Sequence, residues 1–285
     1  MKLGISSYSL YQAMQADGMT ILEAIDWIAG IGGEHAEIVP LGFDLSQNSE
    51  LIGQIRERAA KAGIAVSNYA IGANFITDSE EAYEAEIRRV MREVDIAHAL
   101  GVKLMRHDVA SRQDTSIVRF QEDLPRIAEA CRRIADYAAQ YGITTSLENH
   151  GYYVQASDRV QAVIHAVGRP NYKTTLDVGN FVCVDEHPVI AVNKNIGYAS
   201  IVHVKDFYIR PADHNPGEGW FRSAGGQYLR GAIAGQGDLD LWEILRNVKR
   251  SGFDGFLSIE YEGMEDCRKG TKIAFDNVRR IWEEV

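Results

Sequence analysis

Four ionisable side chains stand directly behind short apolar or β-branched runs. Glu148 follows Thr145-Ser146-Leu147, and Asp177 follows Thr174-Thr175-Leu176. His203 follows Ser200-Ile201-Val202, and Glu260 follows Leu257-Ser258-Ile259. A lone acid at the end of a strand is more often a solvated cap or an ion-pair partner, but four on successive strands form a set. Neighbouring strands lie about 5 Å apart, so three carboxylates gathered there repel one another unless a cation or protons neutralise them. Three oxygens and one imidazole nitrogen with open positions suit one divalent ion. Mn²⁺ is the first choice, and Mg²⁺, Co²⁺ and Zn²⁺ fit the same donors.

Other polar residues fall close to the same strand ends and are expected to bind substrate: Glu37, Asn68, His107 beside Arg106, and Lys205 two residues after His203. His150 lies two residues after Glu148, so along an extended chain both point the same way, which makes His150 a second candidate base. Trp220, Phe221 and Tyr228 belong to a Gly- and Pro-rich stretch and are positioned to cover a sugar ring.

Positioning these groups requires an element pattern, and the chain supplies one. Eight short apolar segments are expected as parallel strands covered on both faces: Lys2–Ser7, His35–Val39, Ala65–Ala70, Lys103–Asp108, Thr144–Asn149, Lys173–Val178, Ser200–Lys205 and Gly255–Glu260. Amphipathic helices are expected over Thr20–Ala29, Ser49–Ala62, Glu80–Leu100, Ser116–Tyr141, Ser157–Ala166, Pro188–Asn195, Leu239–Arg250 and Asp266–Glu284. Gly63, Gly101 and Gly142 stand where a helix closes before the next strand. No GxGxxG follows the first strand, and eight βα units fit a closed barrel better than an open doubly wound sheet. The expectation is one α/β domain over 1–285, a single (β/α)₈ TIM barrel, with a long loop at about 210–237 over its active-site face.

The segments Ser146-Leu147-Glu148-Asn149-His150, Leu176-Asp177-Val178-Gly179-Asn180, Val202-His203-Val204-Lys205-Asp206 and Ser258-Ile259-Glu260-Tyr261 carry a resemblance to a known group. So do Gly235-Gln236-Gly237-Asp238-Leu239-Asp240 and the opening Gly4-Ile5-Ser6-Ser7-Tyr8-Ser9. Together they resemble the xylose isomerase-like superfamily of sugar isomerases and epimerases, over essentially the whole chain. The resemblance implies a divalent-metal-dependent isomerase or epimerase acting on a keto sugar, by proton transfer beside a metal-held carbonyl through an enediolate. Glu148 and Glu260 would be both ligands and acid/base catalysts on opposite faces of the substrate, with Asp177 and His203 as plain ligands. The chain departs from ketose 3-epimerases at Asn180, and at Lys205-Asp206 with Arg210 further on, all at positions that bind substrate in that group. A lyase acting on 3-keto-glycosides with His150 as base shares the same first step and is the alternative. A sugar-binding barrel without turnover is a lesser one.

The net charge of −10 argues against a nucleic-acid partner, and eight scattered histidines do not resemble a multi-metal nuclease site. No stretch is apolar for long enough to span a membrane, and the first residues lack the pattern of a signal peptide. Three cysteines without a CxxC pair are expected as free thiols of a cytoplasmic protein. No basic cluster gathers at the strand ends, so an unphosphorylated substrate is expected. A homo-oligomer is expected by analogy with related barrels.

Overall fold

The computed structural model describes residues 1–285. Its centre is a closed barrel of eight parallel strands. In chain order they are β1 (Lys2–Ser6), β2 (His35–Ile38), β3 (Ala65–Ile71), β4 (Leu104–His107), β5 (Thr144–Glu148), β6 (Tyr172–Asp177), β7 (Ala199–Val204) and, after an excursion, β11 (Phe256–Ile259). Each sits beside its neighbour in sequence, and β11 closes the ring between β7 and β1. The expected TIM barrel is therefore observed.

The helices form the outer layer: α1 (Tyr11–Asp17), α2 (Ile21–Gly30), α3 (Ser49–Ala62), α4 (Glu80–Leu100), α5 (Ile117–Ala139), α6 (Ser157–Val167), α7 (Pro188–Asn195), α8 (Leu241–Arg250) and α9 (Cys267–Glu284). Their buried faces follow the three- and four-residue spacing that a helix imposes, as in Leu241, Ile244, Leu245 and Val248 of α8. The ends are fixed locally. Thr20 and Glu23 form a reciprocal capping box ahead of α2. Gly63 and Gly101 close α3 and α4 at φ of 75° and 80°, where a Cβ would strain the backbone. The three cysteines are free and buried, and no helix is long and apolar enough to cross a membrane.

Two elements differ from the sequence reading. The short helix α1 was not expected between the first strand and α2. The stretch expected as a loop over 210–237 carries its own three-stranded antiparallel sheet instead. Its strands are β8 (Asp206–Arg210), β10 (Tyr228–Ala232) and the short β9 (Phe221–Arg222). β8 begins two residues after β7 ends, so the insert leads directly on from a barrel strand.

Strand pairing decides which side chains share the barrel interior. Glu148 pairs with Thr175, Asp177 with His203, and His203 with Ser258. Paired residues of parallel strands face the same side, and alternate residues repeat it. Glu148, Asp177, His203 and Glu260 thus project inwards at the carboxyl ends of four consecutive barrel strands, β5, β6, β7 and β11.

Candidate metal centre

The four side chains converge. Glu148, Asp177, His203 and Glu260 each offer a ligand atom, these atoms lie within 4.8 Å of one another, and all four residues are buried. His203 Nδ1 is 3.5 Å from Glu148 Oε1 and 3.7 Å from Glu260 Oε1. Its other nitrogen, Nε2, bonds Glu37 Oε2 at 2.9 Å, and the same oxygen accepts the Asn68 amide at 2.9 Å. The Nε2 bond to a carboxylate fixes the ring and aims Nδ1 at the cluster, as outer carboxylates do for metal-bound histidines. Asp177 is pinned likewise: Oδ1 accepts the backbone N–H groups of Gly179 at 2.7 Å and Asn180 at 2.8 Å. His203 Nδ1 and Asp177 Oδ2 are buried without a hydrogen-bond partner. Two orphaned donor atoms aimed at one point, beside two further carboxylates, fit a divalent cation.

Two cationic side chains stand against the carboxylates. Arg106 Nη2 lies 2.5 Å from Glu148 Oε2, and Lys205 Nζ lies 2.7 Å from Glu260 Oε2 and 3.5 Å from Asp177 Oδ2. Burial works against ionisation of Glu148, but Arg106 outweighs it and takes the carboxyl down to about 2. Burial likewise opposes Glu260, and Lys205 with His203 holds that carboxyl well below its usual range. Asp177 goes the other way. Burial, reinforced by Glu260 and Glu148, raises it to about 7 despite Lys205. Burial alone would lower the His203 imidazole, yet Glu37, Glu260 and Glu148 hold it well above the ordinary range.

Above the centre opens a cavity of about 440 Å³, bordered by Arg106, Asp108, His150, Lys205, Tyr8 and Glu262 among others. His150 Nδ1 lies 3.5 Å from Asp108 Oδ1, and that contact raises the imidazole above its usual value.

The remaining residues singled out from sequence divide. Asn180 lies beneath the centre, with Nδ2 on Glu148 Oε1 at 3.3 Å and Oδ1 accepting from Lys205 at 3.4 Å. Glu37 and Asn68 are fully buried behind His203 instead of facing the cavity. His107 is turned out of the barrel, edge-on to Phe75 with ring centroids 5.8 Å apart, and is fully buried. Strand alternation is the reason: Arg106 pairs with Ser146, two residues before Glu148, so Arg106 faces inwards and His107 cannot. Arg210 and Trp220 do not border the cavity either. Arg210 bonds Asp238 at 2.9 Å and lies over the Trp220 ring, so both brace the insert.

Sequence reasoning passed over three participants. Asn149 bridges the strand ends, its amide donating to Asp177 O at 2.8 Å and its oxygen accepting from Asp177 N at 2.9 Å. Glu262 stands two residues after Glu260, the same spacing that pointed to His150. Tyr8 donates to Glu262 at 2.9 Å and was legible only as part of the opening Gly4-Ile5-Ser6-Ser7-Tyr8-Ser9, with no role attached to it.

Residues 25–282 match the xylose isomerase-like TIM barrel family. The chain belongs to that family. Among curated relatives, the inosose dehydratase of Lacticaseibacillus casei is 24% identical over 191 residues, 63% of this chain and 64% of that protein. The chain thus spans just under two thirds of the length of the curated relatives it matches first. A probable 3-DHS dehydratase from Bacillus anthracis superposes with a TM-score of 0.74 at 17% identity, covering 98% of both chains. A D-psicose 3-epimerase from Clostridium cellulolyticum H10 does so with 0.76 at 17% identity, covering 99% of both. At such identities these likenesses establish the fold alone.

Proposed function

We propose that the protein is a divalent-metal-dependent lyase that removes water from a small cyclic polyhydroxy ketone, with Mn²⁺ as the preferred ion. The observation that carries this reading is a base separate from the ligands: His150, backed by Asp108, at the mouth of a cavity floored by the metal centre. When bound, the ion supplies a Lewis acid for the substrate carbonyl and so acidifies the neighbouring C–H. Glu148, Asp177, His203 and Glu260 hold it, and Glu37 with Asn68 keeps the His203 ring in place. With Nδ1 held by Asp108, His150 takes the α-proton on Nε2. The C–H electron pair forms the new double bond as the β-hydroxyl departs, and the proton on His150 returns to that oxygen, so one water leaves. The Asp108 carboxylate raises His150 above its ordinary value and so strengthens it as a base. The match to inosose dehydratases supports a cyclitol ketone.

Epimerisation of a keto sugar is the second reading. It is favoured by Glu148 and Glu260, two buried carboxylates both within 4 Å of His203 Nδ1, which the family resemblance would set on opposite faces of a substrate. Incubating the metal-loaded protein with inosose and with free ketoses in D₂O separates the two. The lyase reading expects loss of water from inosose, reduced about 100-fold or more in His150→Gln with metal content unchanged. Deuterium entering ketoses without any elimination from inosose would overturn it in favour of epimerisation.

A further inference from the structure

Three cations border the cavity, and each is held by a carboxylate outside the metal-ligand set. Arg89 donates twice to Glu86 at 2.8 Å. Arg106 Nη2 lies 3.2 Å from Asp108 Oδ1. Lys205 Nζ lies 3.3 Å from Glu262 Oε1. Arg106 and Lys205 also touch Glu148, Glu260 and Asp177, but those three share their charge with the ion once it is present. The carboxylate left to Arg106 outside the ligand set is Asp108, and to Lys205 it is Glu262. The Lys205 side chain is only 3% exposed, and an ammonium buried that deeply needs a counter-charge. Without Glu262, a substrate carboxylate is the group that would supply it. Glu262 is itself fixed, since Tyr8 donates to the same Oε1 at 2.9 Å.

We propose that Glu262 sets the substrate class: by neutralising Lys205 it reserves the cavity for neutral polyhydroxy ketones and turns away their carboxylated counterparts. Its remaining oxygen and Asp108 present acceptors to substrate hydroxyls. The proposal rests on the reading that this cavity takes a polyhydroxy ketone, and it narrows that class by charge.

Calorimetric titration of the Mn²⁺-loaded protein with myo-inositol, a neutral unreactive cyclitol, and with shikimate, a carboxylated one, tests this without turnover. The wild type should bind myo-inositol and take shikimate at least 10-fold more weakly. Glu262→Gln, which keeps the shape and an acceptor for Tyr8, should gain at least 10-fold for shikimate. Tyr8→Phe leaves the carboxylate on Lys205 and should gain nothing, which separates the charge from the hydroxyl. Thermal melting of each variant checks that it is folded. Shikimate binding to the wild type as tightly as myo-inositol, or a folded Glu262→Gln without a gain, overturns the proposal and leaves the lyase reading standing. A metal-loaded protein that binds neither compound overturns the proposal, and turnover of inosose then decides the lyase reading by itself.

Discussion

Glu37 lies beyond contact with any ion at the centre, yet it governs the one nitrogen ligand. It is fully buried and spends Oε2 on both His203 Nε2 and Asn68. Glu37→Gln keeps the shape but withdraws the charge that orients and enriches the imidazole. The expected result is a loss of metal affinity of about 10- to 100-fold, with all four ligands intact. Competition against a chelator of known affinity measures it, and an unchanged constant would reduce Glu37 to packing. Protons compete at the same atoms. Asp177 sits at about 7, chiefly through burial, and must be ionised to serve as a ligand. Between about pH 5 and 7 the ion therefore has to displace its proton, so affinity should rise across that window, and the proton held on the raised His203 imidazole carries the rise beyond it. Proton release on binding, read from calorimetry in buffers of different ionisation heat, should be about one or more at pH 6. Affinity independent of pH over that range would contradict the shift. The ligands themselves were legible because each follows an apolar run that ends a strand. Choosing between Arg106 and His107 was not, because the inward face of a four-residue strand depends on its pairing with β5.

The insert is the element that sequence described least well. Its glycines, prolines and aromatics read as a long loop over the active-site face, whereas the aromatic rings fasten it to itself: Arg210 and Arg230 lie over Trp220, and Phe221 packs edge-on to Phe207. Two-residue and five-residue strands bounded by such residues give too short an alternation to be told from a loop. The root of the insert is Asp206. Its carboxylate accepts the N–H groups of Phe207 at 2.8 Å, Gly235 and Gly237 at 2.9 Å, and Leu239 at 3.3 Å. Gly237 is required there, since a Cβ would fall 2.2 Å from Asp206 Oδ1. Asp206→Asn replaces one accepting oxygen with an NH₂, so either amide orientation leaves two backbone donors facing a donor. A loss of about 1–3 kcal/mol is expected for groups so stranded. Hydrogen exchange should quicken over 206–239 while the β1–β6 amides stay protected. Uniform exchange across the chain would show that the insert is held by other means.

At the scale of the whole molecule, the alternation of strand and helix made the barrel legible, and closure followed from the number of strands. The barrel also determines what a bound ion does to stability. The four ligand residues come from β5, β6, β7 and β11, four strands in unbroken succession around the ring. An ion held by all four ties half of the barrel wall together, so it cannot be lost by opening one loop. Its binding energy should therefore appear in global unfolding as a single cooperative transition. With free ion at about 100 times its dissociation constant, linkage adds about 2.7 kcal/mol. For a domain of this size that corresponds to a rise in melting temperature of roughly 5–10 °C. A chelator should reverse the rise, and Glu148→Gln should reduce it. His203→Ala removes the only nitrogen donor and should abolish it. The same series by calorimetry reports whether the protein unfolds in one step. A rise that survives in His203→Ala would place the stabilising ion elsewhere, and two separated transitions would mean that the wall and the rest of the barrel unfold independently.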